Sequence, residues 1–331
     1  MKAKKQLVVV GGGTGTHTVL RGLRHYTDIL ELSAVVSMAD SGGSTGRLRD
    51  EFGFLPIGDV RNALTALAAE GDEYDALLRQ LFLYRFDRGT GLSGHNFGNL
   101  FLTALTDILG SEVKAIEATS KILKVSGRVI PVTTDAVELV AHYDDVVVVG
   151  EDNIEEAKEC APTSRIRELS LSPRAKITDS ARKALAGADL IVLGPGDLYT
   201  SILANCVVEG FVEALDESRA KIVYVCNLMS KQGQTIGMDA KEHITEISKY
   251  IKRKPDVVLI NSDPLPEVLL QKYLSESDIP VINNCRGDEC VINSLPLLAK
   301  EEVVRQNGDV VKRSLIRHDS NLLAEALVSL L

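Results

Sequence analysis

The chain has 331 residues, 45% hydrophobic and 25% charged, a balance that fits a globular protein with a sizeable core. A net charge of −9 with no tryptophan disfavours a nucleic-acid binder, which must neutralise phosphates and stack bases. No window approaches the ~20 apolar residues of a membrane span. The five cysteines (Cys160, Cys206, Cys226, Cys285, Cys290) are scattered and odd in number. That pattern predicts reduced thiols and a cytoplasmic location rather than a disulfide framework. Cys285 and Cys290 have no histidine near them in sequence, so no zinc site is expected.

At the N-terminus the apolar run Leu7 to Val10 is too short for a signal-peptide h-region. It reads instead as a strand over 6–10, buried on both faces. A helical stripe of Val19, Leu20 and Leu23 follows the glycines, then a second strand over 32–38 that also ends in glycines. This β-loop-α-β-loop opening predicts a parallel sheet. Helical patterns cover 60–69, 74–83, 96–109 and 112–121. From 128 to 171 four short strand-like runs (129–133, 137–142, 146–149 and 166–171) predict an antiparallel excursion between two halves of the parallel sheet. Strands at 189–193, 221–226, 256–261 and 280–283 then resume the α/β rhythm. A last helix over 322–331 has Asp319 or Ser320 as its N-cap. The expected fold is α/β, one Rossmann-like domain over 1–331 with a mostly parallel sheet and helices on both faces.

The strings that carry chemistry fall at strand ends or helix starts, where open α/β sheets build their sites. Gly11-Gly12-Gly13-Thr14-Gly15-Thr16 follows strand one and opens a helix, so backbone N–H groups and a positive dipole end face a phosphate. Thr16 stands where a dinucleotide fingerprint needs its third glycine or alanine, which weakens an NAD reading, and no Gly-Lys-Ser/Thr follows for a P-loop. His17 separates the string from the GGGTGTG of tubulin-like GTPases and the GGG-x-GTR-L of sugar-nucleotide pyrophosphorylases. In the second loop, residues 39–49, Asp40 is the candidate for a ribose hydroxyl or a magnesium ion, with Ser41 beside it. Arg47 and Arg49 are candidate phosphate contacts. Asp59 reads as the N-cap of a helix that carries Asn62. His95, Asn96 and Asn99 open another helix; the carboxamides suit uracil edges or sugar hydroxyls, and His95 is the acid–base candidate. Gly194, Gly196 and Ser201 lie in a second anion cradle. Asn227 and Lys231 lie in a third string, read as closing a strand and opening a helix.

Taken in order, GGGTGTHTVLRGL, ADSGGSTGRLR, GDVRN, YRFDRGTGLSGHNFGN, GPGDLYTSI and YVCNLMSKQGQT make the chain resemble the gluconeogenesis factor family. The resemblance runs from about residue 6 to 330. These are bacterial cytoplasmic proteins related to the 2-phospho-L-lactate transferases of deazaflavin coenzyme synthesis. The resemblance implies a Rossmann-like core, a UDP-sugar ligand and a role in cell morphogenesis during growth on gluconeogenic carbon, with cell-wall synthesis proteins as partners. It also implies self-association, with no interface located. It makes Arg317 a candidate for the ligand's phosphates. Members usually carry two aspartates before the second glycine pair; here Ser41 replaces the second, which weighs against a magnesium-dependent transferase and toward a non-catalytic nucleotide-sugar binder. Ser320, expected to be exposed at a helix N-terminus, is a candidate phosphorylation site.

Overall fold

The apolar run of the first strand lies in the interior of the sheet, with Leu7, Val9 and Val10 fully buried. The structure, a computed structural model, describes residues 3–157, 164–285, 290–300 and 315–331; Cys160 lies outside them. The strands are β1 (Lys5–Gly11), β2 (Leu30–Val36), β3 (Arg128–Pro131), β4 (Glu138–His142) and β5 (Val147–Val149). They continue with β6 (Glu168–Ser172), β7 (Leu190–Leu193), β8 (Lys221–Val225), β9 (Val257–Asn261) and β10 (Val291–Leu295). Seven form one parallel sheet in the order β10-β9-β8-β7-β1-β2-β3, and β5-β4-β6 form a small antiparallel one.

The chain thus builds outward from β1 to β3, returns to the other side of β1, and builds outward again from β7. The reversal between β1 and β7 opens a crevice at the carboxyl ends of these strands, the place where open α/β sheets bind ligands. The period-two alternation of β1 feeds two apolar layers. Leu7 and Val9 join the core beneath the N-terminal helices, while Val8 and Val10 join the core shared with the small sheet.

Helices α1 (Gly13–Leu23), α2 (Gly43–Phe52), α3 (Gly58–Leu67), α4 (Glu73–Leu83), α5 (Phe97–Leu109) and α6 (Glu112–Ile122) precede β3. A short α7 (Glu151–Glu155) follows β5, and α8 (Asp179–Ala186) leads into β7. After β7 a π-helical segment, Leu198–Leu203, runs into α9 (Ala204–Cys206) and is followed by α10 (Phe211–Glu217). Then come α11 (Ala240–Ile251), α12 (Glu267–Ser275) and α13 (Ser320–Val328). The expected stripe of Val19, Leu20 and Leu23 is the buried face of α1, which packs on α3 and α13. Among the described residues no helix is long and apolar enough to cross a membrane.

Several elements differ from the sequence reading. The run near 129 is not part of the antiparallel excursion: β3 pairs in parallel with β2 and forms the edge of the main sheet. The run at 280–283 is not a sheet strand; Pro280 bridges Met229 outside the sheet, and β10 takes the place beside β9 instead. Half of the second loop is helix, because Gly43–Phe52 forms α2. The string after β8 does not open a helix, since residues 232–237 are turns and α11 begins only beneath the Asp239 capping box. Asp59 is not a cap: Ile57 is the N-cap and Asp59 sits in the first turn of α3. Asp319 does cap α13, accepting from Asn321 and Leu322. Ser320 is half-buried, its carbonyl packed where a side chain on Gly22 would have to go.

Candidate functional site

The glycine loop after β1 reaches the N-terminus of α1, and its conformation depends on having no side chains. Gly13 adopts φ +62°, which favours glycine. A Cβ on Gly15 would stand 2.1 Å from the Pro195 carbonyl oxygen, so the loops after β1 and β7 touch backbone to backbone across the crevice. Ser201 lies beside Gly13 and Gly196 on the same seam. Asn205 donates to Ser201 O at 2.8 Å and holds the π-helical segment in place. The β8 loop joins through Asn227, which donates to Gly196 O at 2.7 Å. Lys231 in turn pairs with Asp197 of the β7 loop and with Glu155 of α7, the latter at 3.1 Å.

On the other wall, Asp59 accepts the Gly13 N–H at 2.6 Å, so a carboxylate already occupies one backbone donor of the α1 N-terminus. Asp40 accepts the Gly42 N–H at 3.0 Å, and its second oxygen stands where a side chain on Gly58 would be. Ser41 accepts the Asp152 N–H at 3.0 Å and thereby ties the second loop to α7. Behind these lies a polar cluster between α2 and α5. Ser44 Oγ is 3.2 Å from His95 Nδ1 and accepts the Asn96 N–H. Asn96 caps α5 by accepting from Asn99, and Asn99 donates to Thr45 Oγ1 at 3.2 Å. The other amide atom of Asn99, Oδ1, is buried without a hydrogen-bond partner.

Five carboxyl groups therefore face this crevice, and its electrostatics follow from their crowding. Burial, then the neighbouring Asp40, pushes the Asp59 carboxyl up to about 7. Burial likewise raises Asp40, against the hydrogen bonds from Gly42 and Thr45 that lower it. Glu151 is raised well above the usual range by burial and then by Asp40. Glu155 is raised to about 7 by burial, against the pull of Lys231. Asp197 alone is held below its ordinary value: burial would raise it, but the Lys231 ammonium outweighs that. Burial, then Arg47, lowers His95, which favours its neutral ring.

The structure thus brings together Gly12, Gly13, Thr14, Gly15, Thr16, Gly194, Gly196, Ser201, Asn227 and Lys231 along the β1/β7/β8 edge. Asp40, Ser41, His95, Asn96 and Asn99 form the adjoining wall, linked to the edge through Asp59. Asn62 lies on α3 and accepts from Arg61 at 2.7 Å. Arg317 lies in the segment before α13, where its carbonyl accepts the Ala299 N–H at 2.9 Å. Glu151 and Glu155 were not foreseen, because their segment reads as a turn. Their four-residue spacing, which puts both on one face of a helix, was the available signal.

The metal expectation at Asp40 gains no support from the donor set. Among the described residues no group of three or more histidine, cysteine, aspartate or glutamate side chains is arranged to hold a metal ion. Ser41, which takes the place of a second carboxylate in the loop, has its hydroxyl committed to α7. An open groove of about 560 Å³ lies elsewhere, between β6, α9 and α11, lined by residues such as Leu169, Cys206, Lys249 and Tyr250. None of the expected site residues lines it.

The family profile described as 2-phospho-L-lactate transferase CofD matches residues 7–296. The chain is 38% identical over 329 residues to a gluconeogenesis factor of Halalkalibacterium halodurans, covering 98% of this chain and 96% of that protein. It is 37% identical over 333 residues to the gluconeogenesis factor of Bacillus subtilis, covering 100% and 99%. The X-ray crystal structure of protein BH3568 from Bacillus halodurans superposes with a TM-score of 0.86 at 36% identity, covering 98% of this chain and 100% of that one.

Proposed function

Because the chain belongs to the 2-phospho-L-lactate transferase CofD family, we propose that it is a gluconeogenesis factor whose β1/β7 crevice binds a UDP-sugar without turning it over. The observation that carries this reading is the contact between the two glycine loops at the point where the strand order reverses. Backbone donors of the α1 N-terminus and the Lys231 ammonium suit a diphosphate, whereas the adjoining asparagines suit a uracil edge or sugar hydroxyls. The buried, unpartnered Asn99 Oδ1 supports a donor on the ligand at that wall.

The magnesium-dependent transferase remains the second reading, favoured by the neighbouring Asp40 and Asp59 carboxylates. Among the described residues no third carboxylate, histidine or cysteine joins them in an arrangement that would hold a metal ion. In the first reading, ligand occupancy reports metabolic state to cell-wall synthesis proteins in the cytoplasm.

Thermal unfolding tests the choice, with UDP-N-acetylglucosamine, GDP or NAD, each with and without magnesium. A ligand at ~100 times its Kd adds about 2.7 kcal/mol of stability. A melting shift with the UDP-sugar alone, lost in Lys231→Ala and Asn99→Ala, is the expected result. A shift only with GDP and magnesium would move the assignment to the transferase, and a shift only with NAD to a dehydrogenase. No shift with any of them would remove the crevice as a nucleotide site.

A further inference from the structure

The small sheet has two edges, and the chain treats them differently. On β6 the Tyr250 hydroxyl accepts the Leu169 N–H at 2.8 Å, and Lys249 donates to Arg167 O at 2.7 Å. On β5 the ladder to β4 includes the bonds from Gly150 N–H to Leu139 O and from Tyr143 N–H to Val146 O, both at 2.8 Å. Ladder bonds of an antiparallel pair come at every second residue, so the backbone groups of Val147 and Val149 point away from β4. Among the described residues, Asn153 Nδ2 takes Val149 O at 2.7 Å, whereas the Val147 N–H, Val147 O and Val149 N–H make no hydrogen bond.

The side chains fit an edge that pairs with another strand. Val147 and Val149 are 56 and 41% exposed, and Val146 before them 39%. Edge strands are ordinarily blunted by a lysine, a proline or an inward charge, and the run Val146-Val147-Val148-Val149 has none of these. Charge sits at its ends instead. Residues 129–157 hold eight aspartates and glutamates and no lysine or arginine. Asp144 is matched by Arg167 at 2.8 Å, and Glu151 faces the crevice. Asp145 and Asp152 form no ion pair among the described residues. Antiparallel pairing of two β5 edges would set the Asp144-Asp145 end of one copy against the Glu151-Asp152 end of the other, and like charges oppose it. A strand with cationic ends meets no such repulsion.

We propose that the free edge of β5 docks an extended segment of a partner protein, apolar and β-branched at alternate positions and flanked by lysine or arginine. The segment adds a fourth strand to the small sheet. Its main chain bonds to Val147 and Val149, its apolar side chains cover those valines, and its cations meet Asp145 and Asp152. β5 runs through Gly150, at φ +93°, straight into α7, whose Glu155 pairs with Lys231 at 3.1 Å. The docked strand therefore lies beside the start of a helix that faces the crevice.

The test is fluorescence anisotropy of the full chain with a labelled synthetic peptide, valines alternating with threonines between paired lysines at each end. It should bind with a Kd of about 100 µM or tighter, and hydrogen exchange at the Val147 and Val149 amides should slow on binding. Glutamates in place of the peptide's lysines should weaken binding by about 10-fold. Val147→Pro removes one outward N–H and leaves the β4 ladder intact, a position where edge strands accept proline. It should weaken binding by about 10-fold or more with circular dichroism and melting temperature unchanged. Should that variant fail to fold, Asp145→Lys in the exposed turn should weaken the lysine-flanked peptide by about 3-fold and favour the glutamate-flanked one. No binding up to about 1 mM overturns the proposal, as does binding unchanged in a folded Val147→Pro or indifferent to the flanking charge. Sedimentation equilibrium of the chain alone closes the alternative: a dimer undone by Val147→Pro would put a second copy on the edge and also overturn it.

Discussion

Asp59→Asn should stabilise the protein above pH 7 and leave its stability near pH 4 almost unchanged. Burial and Asp40 raise the folded-state carboxyl from its ordinary 3.8 to about 7. Across that window the folded chain holds a proton that the unfolded chain has released. The stability linked to this group is therefore full below pH 3.8 and falls as pH rises to about 7. A rise of that size corresponds to about 4 kcal/mol at ~1.36 kcal/mol per pK unit. Asp59 keeps part of its surface in water and shares the repulsion with Asp40, so roughly half, about 2 kcal/mol, is the expected gain at pH 8. Asparagine retains an oxygen to accept the Gly13 N–H and cannot ionise. The assay is urea unfolding of both proteins at pH 5 and pH 8, with stability taken from the midpoint and slope. The advantage of the variant should widen between the two. An equal difference at both pH values, or a variant less stable than wild type at pH 8, would refute the assignment of a crowded, strained carboxylate.

Two further substitutions probe the same crevice. Lys231→Met removes the cation between Asp197 and Glu155 and should cost about 2 kcal/mol at pH 8; that is below the 3–5 of a fully buried pair because Lys231 is 30% exposed. The loss should shrink at pH 6, where Glu155, raised to about 7, takes up a proton; urea unfolding at both pH values checks this. Gly15→Ala would gain about 1 kcal/mol of helix propensity. It would also force a methyl within 2.1 Å of Pro195 O, and overpacking of that kind costs about 1–3 kcal/mol. A net loss of about 1 kcal/mol and a spread crevice should show as a lower urea midpoint and a smaller melting shift with UDP-N-acetylglucosamine.

Much of the parallel sheet was legible because β1, β7, β8 and β9 are unbroken apolar runs between glycines or turns. The loops after β1 and β7 were legible for the same reason, since a glycine cluster after a buried strand has few other uses. Helix α2 was not. Gly43, Ser44 and Gly46 are poor helix formers, and the helix is held by tertiary contacts: Ser44, Thr45, Gly46 and Leu48 are buried, and Ser44 accepts from Asn96. Strand β3 reads locally like its antiparallel neighbours, and only its pairing with β2, nearly 100 residues earlier, sets it in the main sheet. The role of Asp59 was hidden because local spacing explains it as a cap. Its partner, Gly13, lies 46 positions away. The spacing of Glu151 and Glu155 gives them a shared helix face, but the packing of α7 against the π-helical segment that brings that face to the crevice is tertiary, and no local pattern encodes it.

The strand order has a consequence for synthesis on the ribosome. β1 is flanked by β2, which follows it closely, and by β7, whose first residue is Leu190. At ~5–20 residues per second, the β7 side of β1 has no partner for roughly 10–40 s after β1 is made. During that time the nascent half-sheet carries an open hydrophobic edge of the kind that invites mispairing. Chaperone dependence in this protein is therefore expected to concentrate before β7 is translated, and a stalled chain ending before residue 190 should be the aggregating species.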